Sequence, residues 1–190
     1  MAKILCIVGA TDKRAITYPL IKTLMHLGRT LIVSDDGVYR RFDETYQTNF
    51  DFGNSEFLIT PKVDDTVIES VNQREGQFEY IVYITTDEVP QKTDKVIYCR
   101  GIDKGFASED TLKLIEESEF IEVLVTFDKV QDKKALKIAP TIKQYQYLNR
   151  CEDRKEFIPT ADQSFATVVA KFFEEQLDLP KNTIKAILTK

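Results

Sequence analysis

The residues Ile4-Leu5-Cys6-Ile7-Val8 form an unbroken apolar run of strand length that ends in a glycine, Gly9. A run with no polar alternation marks a strand buried on both faces, as in a parallel sheet covered by helices. A parallel strand needs a crossover to reach its neighbour, and the next residues supply one. From Asp12 to Leu27 the residues Ile16, Leu20, Leu24 and Leu27 recur at helical spacing, and Pro19 inside the pattern predicts a delayed start or a kink. Gly28 stops that helix, and His26 beside it reads as an ordinary helix-end residue. Thr30-Leu31-Ile32-Val33-Ser34 is a second strand, followed by Asp35 and Asp36. The first 36 residues are thus a βαβ unit, whose crossover is expected to be right-handed.

The alternation continues along the chain. Glu56–Thr60, Phe78–Thr85, Lys95–Cys99, Ile121–Phe127 and Glu156–Ile158 read as strands, and Asp64–Gln73 and Ser108–Ser118 as helices. Phe50-Asp51-Phe52-Gly53 reads as a turn, and residues 133–147 carry no clear period. Thr160-Ala161-Asp162-Gln163 has the form of a capping box. It opens a helix through about Gln176 with Phe165, Val168, Val169, Phe172 and Phe173 on one face. Pro180 then breaks the chain before a last short helix, Asn182–Lys190, with Ile184, Ile187 and Leu188 on one side. The expected fold is a single-domain α/β structure over residues 1–180, a mostly parallel doubly wound sheet with helices on both faces. Residues 181–190 are expected to be a short C-terminal helix or tail.

Composition narrows the function classes. Against 31 acidic residues stand 26 basic ones, a net charge of −5, so the chain lacks the positive footprint of a non-specific nucleic-acid binder. No apolar run approaches the roughly 18 residues that span a bilayer, and the N-terminus lacks the pattern of a signal peptide. A cytoplasmic protein without membrane association is expected. Cys6, Cys99 and Cys151 lie far apart, and there is one histidine, so neither a metal site nor a Ser-His-Asp site is expected.

Ligands of open α/β sheets sit beyond the carboxyl ends of the strands. This singles out Gly9, Thr11, Asp12, Lys13 and Arg14 after the first strand and Asp35 and Asp36 after the second, as an anion or nucleotide site at a helix N-terminus. A phosphate cradle needs glycines, however, and after Gly9 the next one is Gly28. Acidic residues after a strand also serve as turn and cap residues, which is the commoner role for Asp35 and Asp36.

The order of these pieces resembles the MinD/ParA-like family of deviant P-loop ATPases. Ile4–Gly9, Thr11–Leu27, Gly28 and Ile32-Val33-Ser34-Asp35-Asp36 follow that family's strand, loop, helix ending in Gly, and strand ending in Asp-x-Asp. Tyr80–Asp87 is similar to its apolar strand ending in Asp-Thr-Pro-Pro, with Thr85 in place of the metal-associated Asp. Thr93-Asp94-Lys95-Val96-Ile97 is similar to its Ala-Asp-x-Val strand, and Phe157-Ile158-Pro159-Thr160-Ala161-Asp162 to its late Ile-Pro-x-Asp segment. The resemblance implies a P-loop-like fold and an ATP-driven dimer, but the Lys-Ser/Thr pair of the loop and the acidic residue that organises Mg²⁺ are not recognisable. The expectation is therefore a degenerate, noncatalytic member with no cofactor. It would act as an interaction, scaffold or regulatory subunit with a protein partner or as a homodimer.

A rival resemblance, to atypical short-chain dehydrogenases, rests on Lys3–Thr11 and on Asp35 as a ribose-binding acid, and implies NAD(P) binding in a Rossmann fold. The only Tyr-x-x-x-Lys pair, Tyr18 with Lys22, falls in the first helix and not where such reductases carry it. A nucleotide-binding enzyme with an atypical loop, using ATP or NAD(P), is the alternative. Tyr39, Arg40, Arg41 and Phe42, just after the second strand, combine residue types enriched in protein interfaces and are the candidate interface.

Overall fold

The computed structural model describes residues 1–100, 120–125, 136–138 and 142–190; the helix expected at 108–118 lies outside the described residues. The elements are β1 (Lys3–Val8), α1 (Arg14–Leu27), β2 (Thr30–Ser34), β3 (Asn49–Phe52), β4 (Ser55–Ile59), α2 (Asp65–Arg74), β5 (Tyr80–Thr85) and β6 (Lys95–Arg100). They are followed by β7 (Phe120–Val125), β8 (Leu136–Ile138), α3 (Ile142–Arg154), α4 (Gln163–Leu177) and α5 (Lys181–Thr189). The strands form one sheet in the order β3-β4-β2-β5-β1-β6-β7-β8, parallel throughout except for β3 at its edge.

The pleat sorts each strand's residues between two helix-covered faces. Leu5 and Ile7 of β1 join Ile32, Val82 and Ile97 beneath α1, α3, α4 and α5, while Ile4, Cys6 and Val8 join Leu31, Val33 and Tyr83 beneath α2. This is the doubly wound α/β domain that the strand pattern predicts. Its β1 lies between β5 and β6, with β5 separating it from β2. In the dinucleotide-binding order 3-2-1-4-5-6 the first two strands are neighbours. The order here is a different one.

Several local expectations are corrected. Helix α1 starts at Arg14 and runs through Pro19, so the proline does not delay it. Phe50 and Phe52 belong to β3, and only Gly53, at φ +58°, and Asn54 turn the chain into β4. Phe50 stacks on its cross-strand partner Phe57 at 4.9 Å, which makes a hairpin of what reads as a turn. Glu156–Ile158 is not a strand. It crosses beneath α1 as irregular chain, held by Lys22 Nζ donating to the Phe157 carbonyl (2.8 Å) and Tyr147 Oη donating to the Ile158 carbonyl (3.0 Å). Asp162, not Thr160, is the N-cap of α4 and accepts from Phe165 N at 3.0 Å. On α4 Val168 is exposed, because the buried face centres on Phe165, Ala166, Val169, Ala170 and Phe173. In α5, Ile184 and Leu188 are buried in the main core and Ile187 is only half-buried. No helix among the described residues is long and apolar enough to cross a membrane.

Candidate functional site

Beyond the carboxyl ends of β1, β2 and β5 lies an open crevice of about 630 Å³, lined by the β1–α1 turn, by Asp35 to Val38, and by Arg41, Thr86 and Asn149. The structure therefore brings Thr11, Asp12, Lys13, Arg14, Asp35, Asp36 and Arg41 to one place.

The turn is tight. Gly9 has φ +138°, and a Cβ there would lie 1.9 Å from the Cys99 carbonyl oxygen, so the first loop residue passes directly over the end of β6. Lys13 is 4% exposed and its ammonium folds back onto the Gly9 carbonyl at 2.5 Å, closing the turn upon itself. Asp12 accepts from Arg14 N (3.0 Å), Nε (3.0 Å) and Nη2 (2.7 Å). Burial pushes the Asp12 carboxyl up, but these bonds outweigh it and hold the group below the ordinary carboxylate range.

The other end of the Arg14 guanidinium reaches across the crevice. Its Nη1 lies 2.6 Å from Glu152 Oε1 on α3, an oxygen that also accepts from Tyr18 Oη at 2.9 Å, while Glu152 Oε2 pairs with Arg41 Nη1. Glu152 is 6% exposed. One buried carboxylate thus joins α1, the turn after β2, and α3. The periodicity of α3 hides it: its buried residues are Gln144, Tyr147, Leu148, Cys151 and Glu152, a helical stripe with polar residues at both ends. Sequence reasoning missed Glu152, and helical spacing from Leu148 was the signal that could have found it.

On the β2 side, Asp35 accepts from Thr86 N (2.8 Å) and Thr86 Oγ1 (3.2 Å), tying the ends of β2 and β5 together. Burial raises its carboxyl, with the Thr86 bonds opposing. Asp36 caps the 3₁₀ turn Gly37–Phe42 by accepting from Val38 N at 2.9 Å. Both acids therefore hold turns. Thr85 is fully buried and donates to the Glu88 carbonyl.

The interface expected at Tyr39 to Phe42 is corrected by half. The 3₁₀ turn has three residues per turn, which puts Tyr39 and Phe42 on one face. That face is inward: Tyr39 donates to Thr17 Oγ1 at 2.7 Å, and Phe42 stacks on Phe157 at 4.3 Å. Arg41 stays at the surface beside Glu152. Arg40 is half-buried, and its Nε is enclosed without a hydrogen-bond partner among the described residues.

A magnesium-bound triphosphate does not fit this arrangement. Such a ligand needs successive free backbone N–H groups, a lysine able to reach the phosphates and a metal-organising acid. Here the loop has one glycine, Lys13 is engaged with Gly9, Asp12 sets a carboxylate in the turn, and Thr85 stands at the end of β5. Among the described residues no group of three or more His, Cys, Asp or Glu side chains is arranged to hold a metal ion.

Because Asp12 is held below its ordinary pKa of 3.8, its bonds to Arg14 stabilise the fold fully above that value. The stabilisation is lost as pH falls through the lower folded value. We expect Asp12→Asn to flatten the acid limb of the stability curve below about pH 4, measured by urea unfolding at stepped pH. An unchanged limb would rule the pair out as a source of pH dependence.

No family model matches the chain, and no curated protein sequence is significantly similar to it. Solved structures do share its fold. The MinD cell division protein of Aquifex aeolicus superposes with a TM-score of 0.55 at 12% identity, covering 98% of this chain and 95% of its own. A chain of the Aquifex aeolicus MinC:MinD cell division protein complex gives 0.59 at 13% identity, with 94% and 99% covered. Apo McdA of Cyanthece gives 0.50 at 12% identity, with 99% and 100% covered. The fold is that of MinD and McdA over nearly the whole chain.

Proposed function

We propose that this chain is a MinD/ParA-like protein that has given up nucleotide chemistry and works as an interaction or regulatory subunit, through a protein partner or a second copy of itself. The observation that carries this reading is the state of the crevice cations. Lys13 is bound to Gly9, Arg14 to Asp12 and Glu152, and Arg41 to Glu152, so each positive group near the turn is already matched within the chain. A phosphate entering here has to displace a buried carboxylate or compete with Asp12, and both are unfavourable. Support for a protein partner is the exposure of Arg41 beside the half-buried Arg40, together with the fold's occurrence in a MinC:MinD complex. The dinucleotide alternative loses its main support where Asp35 is tied to Thr86 and β5 separates β1 from β2.

The test is titration calorimetry with ATP, ADP, NAD⁺ and NADP⁺ in the presence of Mg²⁺, alongside a phosphate-release assay. No binding tighter than about 1 mM and no turnover above background are expected. Turnover that disappears in Lys13→Ala would overturn the proposal in favour of an ATPase with an unusual loop.

A further inference from the structure

A second cavity lies at the opposite end of α1. Lys22, Met25 and His26 from its last turns, Phe52 from the end of β3, Phe157 from the crossing segment, and Ile187 of α5 are among the residues that line an open cavity of about 770 Å³. Lys22 is eight residues beyond Arg14, about 12 Å along the helix axis, so this cavity is separate from the crevice. Its volume is that of small-molecule sites, and its lining is apolar over the larger part of its area, with Lys22, His26, Glu156, Asn182, Thr183 and Lys190 as its polar members.

The unusual member is Lys22. It sits on the buried side of α1 between Ile21 and Thr23, is 7% exposed, and among the described residues has one acceptor, the Phe157 carbonyl at 2.8 Å. An ammonium has three N–H donors, and a buried one without a carboxylate partner is costly. Burial lowers the Lys22 ammonium pKa, with Cys151 and Glu156 opposing. The second polar group is His26 at the rim. Its Nδ1 lies 2.8 Å from the Lys22 carbonyl, an oxygen that only accepts, so Nδ1 carries the proton. The rim also carries Lys190 and Glu156. The deep charge is the cation, and the acid is at the edge.

We propose that this cavity binds an amphipathic monocarboxylate, its apolar body against Phe52, Phe157, Met25 and Ile187 and its carboxylate on the two remaining N–H donors of Lys22. The carboxylate completes the hydrogen bonding of a buried cation, and the apolar body fills a lined space that the described side chains leave open. The site is independent of the reading of the crevice and stands whether or not that reading holds.

The probe is decanoate below its micelle concentration, with decan-1-ol as the uncharged control, followed by calorimetry and by the amide resonances of α1 and α5. Saturable decanoate binding is expected, with a Kd on the order of 100 µM. In Lys22→Met the decanoate Kd should rise tenfold or more while decanol binding is unchanged. Ala186→Trp, which fills the cavity from the α5 side and leaves Lys22 in place, should abolish both. This second variant decides the matter if Lys22→Met does not fold. The proposal is overturned if decanoate does not saturate below about 1 mM, if decanol binds the unaltered protein as tightly, or if Ala186→Trp binds decanoate normally.

Discussion

Removing the buried carboxylate with Glu152→Ala is expected to destabilise the protein by about 3 to 5 kcal/mol, the sum of a lost charge-assisted hydrogen bond to Arg14, which keeps Asp12, and of a buried Tyr18 hydroxyl left without its acceptor. For a chain of this length that corresponds to a fall in Tm of roughly 6 to 20 °C. The effect has two sources. Arg14 loses an ion pair at 2.6 Å where its side chain is 18% exposed, and Tyr18, fully buried, loses its acceptor. Arg41 contributes little, since its side chain is 58% exposed and solvent screens it. Arg41→Ala is accordingly expected to cost less than about 1 kcal/mol. Thermal and urea unfolding of the two variants side by side measure the difference. Equal effects would show that the Glu152 carboxylate acts mainly through its surface pair.

Gly9→Ala is expected to be nearly as severe, about 3 kcal/mol or more, because two faults coincide at one atom. The backbone is in a region that side chains rarely adopt, and the new Cβ meets the carbonyl of a central strand, which no rotamer can move aside. Gly37 is the control, because a Cβ there meets nothing within 4 Å. Gly37→Ala should stay within about 0.5 kcal/mol of the unaltered protein. A Gly9→Ala protein of normal stability would mean that the β1–α1 turn is looser than its hydrogen bonds imply.

These two positions differ in how far the sequence discloses them. Gly9 is legible as the end of a buried strand, and so are β1, α1, β2, β5 and β6, since a run of apolar residues bounded by Gly or Asp leaves little choice of structure. Glu152 is not, because an acid in a polar-looking helix reads as solvated until the helix is docked. The β3 hairpin was hidden because two phenylalanines around Asp51 are too few to show alternation. Their role follows only once Phe57 lies opposite. At Tyr39 and Phe42, residue type suggested a surface while three-residue spacing buried both. The structure gathers Thr11, Asp12, Lys13, Arg14, Asp35, Asp36 and Arg41 around one crevice. Part of their pairing is local, as between Asp12 and Arg14, but the pairs that Arg14 and Arg41 make with Glu152 join residues more than a hundred positions apart.

The place of β1 in the sheet has a consequence for how the chain reaches its folded state. Lys3 pairs with Tyr80 and Leu5 with Lys95, so β1 has none of its hydrogen-bonding partners in the sheet until the middle of the chain exists. The pieces of sheet closest in sequence, the β3–β4 hairpin and then β2 with β4, can pair much earlier, but they cannot hold β1. Closing such long loops is entropically slow, and an apolar strand waiting for its neighbours is exposed to wrong ones. The native sheet can close around β1 only once β5 and β6 have arrived on either side of it, and truncation before residue 80 leaves this buried strand without either neighbour.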